Sequence, residues 1–239
     1  MNWEAFFTVH QDLPREGPGE PDDIAWAIEH LNLKPDCQIA DLACGPGADL
    51  EAWGYAMPGA QITGIEKHPS FVAQAQARVA SFDGRVTARQ GDMTDPGGPF
   101  DLIWCAGAIY FLGVTEGLTL WKEALEPDGA VVFSEPIWLS ADRPEAAALQ
   151  WAEYPAMTDV QGLNTRIENA GYRVEAQRVL SDQAWENYYT PIDTRIAKLR
   201  GGAVTPELAQ VLSDAEDEAM IWRQHRRAFG YILSIVRPV

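Results

Sequence analysis

The sequence has little cysteine, little positive charge and no long apolar run, and each shortage removes a class of protein. Its three cysteines, Cys37, Cys44 and Cys105, sit in apolar surroundings and are too few for a disulfide framework. No paired Cys or His spacing suggests zinc, so no metal is expected. No apolar stretch approaches the roughly 20 residues that span a bilayer. Asn2, Glu4 and Asp12 stand where a secretion signal would carry a cationic run, so the expectation is a cytoplasmic protein with no membrane partner. Against 35 acidic residues there are 18 basic ones, a net charge of −17. A field of that sign repels a polyphosphate backbone, so no nucleic-acid partner is expected. The basic cluster Arg223, Arg226 and Arg227 around His225 reads as a solvated helix end.

What is present is a regular alternation of short apolar runs with longer amphipathic ones, which argues for a parallel sheet flanked by helices. A chain of 239 residues, 46% hydrophobic, is long enough to bury one sizeable core, so a single domain over residues 1–239 is expected. Strands are predicted at Gln38–Leu42, Gln61–Ile65, Arg85–Ala88, Leu102–Cys105 and Ala130–Ser134, with helices starting near Ala48, Pro69 and Thr115. A helix near Val160–Ala170 leads into strand-like Tyr172–Leu180, and Gly230–Val236 reads as the last strand. The division expected is an N-terminal lid and helix (1–35), a ligand-binding core (36–180), a helical insertion (181–228) and the last strand (229–239).

The N-terminal segment differs in kind. Trp3, Phe6, Phe7 and Val9 precede the turn-rich run Pro14-Arg15-Glu16-Gly17-Pro18-Gly19, after which Pro21 opens a helix with Asp22 and Asp23 in its first turn. A short aromatic helix on a Gly-Pro-Gly loop reads as a lid over a site, or equally as a helix packed on the core.

The strongest chemical signal is Asp41-Leu42-Ala43-Cys44-Gly45-Pro46-Gly47-Ala48-Asp49, where an apolar strand gives way to a helix. Glycines there allow a tight turn and close approach to a ligand. Nicotinamide and flavin enzymes use such a turn too, but Asp49 and Glu51 would oppose a phosphate at the helix start. Asp41 at the strand end suits a ligand with a cationic group. The next strand ends in Glu66, about 20 residues on, where a carboxylate accepts from a ribose diol. The third is followed by Asp92-Met93, an acid beside a flexible apolar side chain, suited to an adenine amino group and ring face. Each acid alone reads equally as a solvated loop residue; together they line the carboxyl edge of one sheet.

In order and spacing, Asp41–Asp49, Glu66, Asp92-Met93 and Phe100-Asp101-Leu102-Ile103-Trp104 resemble the successive motifs of class I S-adenosylmethionine-dependent methyltransferases. The resemblance covers about residues 36–136. Ala43 stands where many members carry the first glycine, a position read as tolerant of alanine. Further along, Arg15–Gly19, Gly107-Ala108-Ile109-Tyr110, Ser134-Glu135-Pro136 and Tyr189-Thr190-Pro191 are similar to bacterial small-molecule methyltransferases of the loosely labelled ubiquinone- or menaquinone-biosynthesis-like group, in which an acid often stands at Ala106. The resemblance implies a Rossmann-like, doubly wound, mostly parallel seven-stranded sheet with an antiparallel last strand. It implies S-adenosylmethionine as methyl donor, S-adenosylhomocysteine as product, and a small-molecule acceptor. The cofactor contacts expected are Arg15, Gly17, Asp41, Ala43, Gly45, Gly47, Glu66, Lys67, Asp92, Met93, Ala106 and Gly107, with Arg15 on the methionine carboxylate.

Methyl transfer is an in-line displacement, so alignment and exclusion of water matter more than a dedicated base. If the acceptor must lose a proton, Glu135, Tyr110 and His10 are the candidate catalytic groups, Glu135 first. Tyr110, Trp138, Tyr154, Tyr188 and Tyr189 are the candidate substrate walls, each equally able to be ordinary core. Cys105 reads as a small buried hydrophobe. A nicotinamide-dependent oxidoreductase and a cofactor-binding protein without turnover are the alternatives, and a homodimer through the insertion is open.

Overall fold

The computed structural model describes residues 3–239. Its elements run α1 (Trp3–His10), α2 (Pro21–His30), β1 (Gln38–Leu42), α3 (Ala48–Ala56), β2 (Gln61–Glu66), α4 (Pro69–Val79), β3 (Val86–Gln90), β4 (Phe100–Cys105), α5 (Val114–Trp121) and β5 (Leu125–Trp138). Then follow α6 (Glu145–Gln150), α7 (Val160–Asn169), β6 (Tyr172–Val179), α8 (Asp182–Arg200), α9 (Pro206–His225) and β7 (Phe229–Pro238). The seven strands form one sheet in the order β3-β2-β1-β4-β5-β7-β6. β1 to β5 pair in parallel, and β7 runs antiparallel between β5 and β6. This is the α/β, doubly wound architecture that the alternation of the sequence predicts.

Period-two burial sorts each strand between two cores. Ile39, Ile62, Leu102 and Trp104 join Leu50 and Trp53 of α3 and the large rings Trp185 and Trp222 of α8 and α9 on one face. Leu42, Ile65, Ile103 and Cys105 join Leu118 and Trp121 of α5 and Leu163 and Ile167 of α7 on the other. Helix starts follow local chemistry. Side chains of Asp159, Ser181 and Thr205 cap α7, α8 and α9 by accepting the backbone N–H of Gly162, Ala184 and Leu208. Among the described residues, no helix is long and apolar enough to cross a membrane.

The structure differs from expectation at three places. β5 extends well beyond Ala130–Ser134, because antiparallel pairing with β7 continues to Trp138 against Phe229. The basic cluster is an exposed helix end at Arg226 and Arg227, as expected, but it is also engaged: Arg223 bridges Glu186 and Asp193, and Arg226 reaches Asp182, so these cations stitch α9 to α8. Ala43 is not in a relaxed strand end. Its φ of 55° lies in the left-handed region that favours glycine.

The order of the strands reverses between β1 and β4, which opens a crevice at their carboxyl ends. Ala43 sits at that point, and a left-handed alanine costs about 1–2 kcal/mol. Ala43→Gly relieves that strain and adds some unfolded-state entropy, so the expected net gain is about 0.5–1 kcal/mol. Differential scanning calorimetry should show a Tm higher by roughly 2 °C; a Tm equal to or below that of the parent would show that the left-handed conformation at Ala43 costs no more than the unfolded-state entropy that glycine adds.

Candidate active site

At the carboxyl end of β1 the chain turns through Gly45 (φ 53°) and Gly47 (φ 88°), and Gly47 starts α3. Three carboxylates converge there. Asp41 is buried, and one of its oxygens, Oδ2, has no hydrogen-bond partner. Burial first, then the neighbouring Asp49 and Glu66, push its carboxyl well above the ordinary range. Glu66 is buried at the end of β2, where Oε2 accepts the Gly45 N–H at 3.0 Å and Oε1 accepts the His68 N–H at 2.8 Å. Asp49 accepts from the Trp104 indole N–H at 2.9 Å and from Arg15 at 2.8 Å. Arg15 therefore pairs with Asp49, tying the N-terminal strap to the start of α3. The acids expected to repel a phosphate are both paired, since Glu51 meets Arg78 at 3.4 Å.

The outer rim holds the remaining expected cofactor residues. Asp92 accepts from the backbone and hydroxyl of Thr94, which lower its pKa, and meets the exposed Lys67 at 3.5 Å. Met93 is half-buried, and its carbonyl accepts the Trp121 indole N–H at 2.7 Å. Gly107 (φ 71°) donates its N–H to the buried Ser134 hydroxyl at 2.8 Å, which fixes the turn after β4 beside the half-buried Ala106. Gly17 has no atom within 4 Å of where a Cβ would stand.

A cap covers this edge, built jointly from the N-terminus and the insertion. In α1, Phe7 packs 5.5 Å from His68 and 5.6 Å from Phe71 of α4, while the helix also contacts α8 and α9. The strap that follows is tied to α8: Gly19 N–H donates to the Ala184 carbonyl at 3.0 Å, and Asn187 donates to the Gly19 carbonyl at 3.1 Å. Arg195 of α8 donates to the Thr8 carbonyl at 2.9 Å. Glu16 lies on the strap, its Cγ 3.5 Å from the point where a Cβ of Gly45 would stand. Glu16 accepts from or donates to His10 Nδ1 at 2.6 Å through Oε2, and its Oε1 is buried without a partner. Of the lid expected over residues 1–20, Met1 and Asn2 lie outside the described residues.

Beneath the cap, on the β4–β5–β7 side, tyrosines and carboxyls gather into a cluster, referred to below as the chamber. Glu135 of β5 is 1% exposed; its Oε1 accepts the Tyr154 hydroxyl at 2.5 Å and its Oε2 is buried without a partner. Burial pushes its pKa up to about 7, against the opposing pull of the Tyr154 hydrogen bond and Arg166. Tyr110 stands 5.6 Å from Tyr154, ring to ring, with Tyr231 of β7 as a neighbour. Tyr188 stacks 5.0 Å from Tyr189. Tyr189 reaches the chamber with its hydroxyl, which donates to Glu218 of α9 at 3.0 Å, while its ring belongs to the core beside Trp185 and Trp222. Trp138 is likewise a core ring, packed against Phe229 and under the Arg143 guanidinium. Cys105 is buried, and burial raises its thiol far above the ordinary range, so it is no nucleophile.

Glu218, Tyr231 and Glu16 escaped the sequence reading. For Glu218 a signal existed. It stands three residues after Ala215 and four before Trp222, on the apolar stripe of α9, where an acid has no packing reason to be.

The group that the resemblance implies, S-adenosylmethionine, fits these residues. Its sulfonium and ammonium are cations, and Asp41 Oδ2 and Glu16 Oε1 are buried carboxylate oxygens lacking a partner on either side of the glycine turn. Arg15 is the cation that keeps the cluster from flying apart. Arg15→Ala takes the ion-pair partner from Asp49 beside the buried Asp41, and breaking a buried pair costs about 3–5 kcal/mol. Urea unfolding at pH 7.5 should show that loss in the parent background and a smaller one when Asp49→Asn is already present; an equal loss in both backgrounds would mean that Arg15 acts by packing alone.

Comparison with known proteins decides between the readings that the glycine turn left open. A methyltransferase domain family matches residues 39–129. The trans-aconitate 2-methyltransferase of Streptomyces avermitilis is 26% identical over 215 residues, 83% of this chain and 78% of that protein. That of Paracidovorax citrulli is 26% identical over 170 residues, 68% of this chain and 65% of that protein. A solved S-adenosylmethionine-dependent methyltransferase from Geobacter sulfurreducens, in complex with S-adenosylhomocysteine, superposes with a TM-score of 0.85 at 21% identity, covering 99% of this chain and 98% of that one.

Proposed function

We propose that this chain, a class I S-adenosylmethionine-dependent methyltransferase, methylates a small molecule held between the carboxyl edge of its sheet and its helical cap, with Glu135 as the general base. S-adenosylmethionine supplies the methyl group from its sulfonium. Glu66, anchored by two backbone N–H groups, keeps free lone pairs for the ribose diol, and Asp92 with Met93 borders the adenine. Asp41 and Glu16 face the cationic methionine end. Backbone of the turn at Ala43, Gly45 and Gly47, and of Gly107 beside Ala106, approaches the ligand closely, while Gly17 lets the strap pass over it and Lys67 steadies Asp92. Tyr110, Tyr154 and Tyr188 wall the acceptor, and His10 orients Glu16. A net charge of −17 supports the absence of nucleic acid as substrate. On this reading the chain is one domain, with residues 181–228 inserted before the last strand as part of the cap.

The observation that carries the base assignment is the unpartnered, buried Glu135 Oε2 on a carboxyl held near neutrality. A base with a pKa near the working pH transfers protons best. Glu135→Gln should lower kcat by about 100-fold or more at pH 7, in S-adenosylhomocysteine-release assays on an acceptor recovered from a metabolite screen. S-adenosylhomocysteine affinity should stay unchanged. Parent kcat should rise with a midpoint near pH 7, and full activity of the Gln variant would remove Glu135 from the chemistry. A second readout needs no acceptor. The native carboxyl keeps its proton to about pH 7 and the unfolded one releases it near 4.5, so the fold loses stability as pH rises through that window. Glu135→Gln should therefore be more stable than the parent at pH 8, by about 1–3 kcal/mol, and by less at pH 5.

The same reading makes α1 and the strap a lid that opens for exchange. Its hydrogen-bonded ties to α8 are few, and a groove of about 430 Å³ lined by Phe7, His10, Gln11, Phe71 and Gln74 runs alongside its contact with α4. Hydrogen exchange in residues 3–20 should slow when S-adenosylhomocysteine binds. Equal protection in both states would make the segment a fixed part of the core.

A further inference from the structure

The walls of the chamber differ in chemistry from the acceptor named for the relatives. An acceptor with three carboxylates needs cations, and a chamber that binds one must offer them unengaged. Here the nearby cations are committed: Arg15 to Asp49, Arg195 to the Thr8 carbonyl, Arg223 to Glu186 and Asp193, Arg166 to the Ala156 carbonyl. His10 faces Glu218 but is held by Glu16 at 2.6 Å. The acids, by contrast, have capacity to spare. Glu135 keeps one buried oxygen unpartnered, and Glu218 has one described partner, Tyr189.

The two carboxyls belong to one enclosure. Tyr110 and Tyr231 each stand within electrostatic reach of both Glu135 and Glu218, and Tyr188 stands within reach of Glu218. These acids are not the ones at the glycine turn. The charged neighbours of Asp41 are Asp49, Glu66 and Arg15, and none of them faces Glu218.

We propose, resting on the methyltransferase reading above, that the acceptor is a small apolar-bodied amine, its ammonium group recognised by Glu218 and its body walled by Tyr110, Tyr154 and Tyr188. Carboxylates satisfy an ammonium's donors by hydrogen bonding, and electron-rich ring faces attract its charge. Glu218 is then the specificity-determining residue, and a polycarboxylate is disfavoured because its charges meet Glu135 and Glu218 while the nearby arginines are already engaged. The position of Glu218 on the insertion explains how this cofactor edge is compatible with a different acceptor charge: the sheet supplies Glu135, and the cap supplies the discriminating acid.

The test uses the full chain saturated with S-adenosylhomocysteine and a series of equal ring body and different charge, 2-phenylethylamine, 3-phenylpropan-1-ol and 3-phenylpropionate, with trans-aconitate as the polycarboxylate. Calorimetry at pH 7.5 should place the amine at least tenfold tighter than 3-phenylpropionate, with trans-aconitate not binding. Glu218→Gln should erase most of that preference while its S-adenosylhomocysteine affinity stays within twofold, and Glu218→Asp should restore part of it. Tighter binding of either carboxylate, failure of the amine to bind, or an unchanged preference in Glu218→Gln overturns the proposal. The wild-type ranking alone tests it should Glu218→Gln not fold. A chain that does not bind S-adenosylhomocysteine overturns the methyltransferase reading as well, whereas binding of it with no preference for the amine overturns only the acceptor class.

Discussion

Repulsion among carboxylates at the end of β1 is the constraint around which the edge of this sheet is organised. Asp41, Asp49 and Glu66 are drawn together because a parallel sheet brings successive strand ends side by side and the glycine turn folds α3 back over them. Such a group stays folded only if something supplies positive potential. Glu66 takes it from two backbone N–H groups, and Asp49 takes it from the Trp104 indole and Arg15. Since Arg15 comes from the N-terminal strap, the charge balance of the sheet edge and the seating of the strap are one interaction. The strap is seated both by apolar burial, with Leu13 in the core and Pro18 buried, and by the guanidinium that it brings to that edge.

From that anchor the cap follows. The strap delivers α1 against α4 on one side and against α8 and α9 on the other, and its backbone is taken up by Asn187, Arg195 and the Ala184 carbonyl. The insertion is able to answer because both its ends are sheet strands: α8 leaves β6 and α9 enters β7, which is sandwiched between β5 and β6. Ion pairs from Arg223 to Glu186 and Asp193 then hold the two helices at a fixed angle, with stacked Trp185 and Trp222 between them. A loop of the same length anchored at one end only would not carry a side chain such as Glu218 to a defined place.

What the sequence made legible was set by range. β1, β2 and β4 are largely buried and read locally as short apolar runs, and the edge strand β3 as an alternating one; the C-terminal end of β5 could not be read so, because it depends on β7, about 90 residues away, for its pairing. Asp41, Glu66 and Glu135 were visible because the carboxyl ends of strands are where a sheet of this kind exposes chemistry. The partner of Arg15 was not, since local spacing offers Glu16 and Glu20 and only the fold offers Asp49. Ala43 was misread for a different reason: its residue type is compatible with a strand, and only the turn geometry reveals the left-handed backbone. Glu218 was hidden among Asp214, Glu216 and Asp217, acids that share its composition but point to solvent.

The distribution of charge has a consequence for turnover. A net charge of −17 enriches cations near the surface, but screening confines that field to about 8 Å at physiological ionic strength, so the choice between charged ligands falls to groups inside the site. In the proposed arrangement those groups are acids at both ends, Asp41 and Glu16 at the glycine turn and Glu135 and Glu218 in the chamber. Methyl transfer removes the sulfonium charge. The product S-adenosylhomocysteine then meets the same buried carboxylates with one cation fewer, and the attraction that held the donor weakens at the moment of reaction. The acids that make this edge costly to fold thereby favour donor over product, which couples the chemistry of the reaction to the release of what it leaves behind.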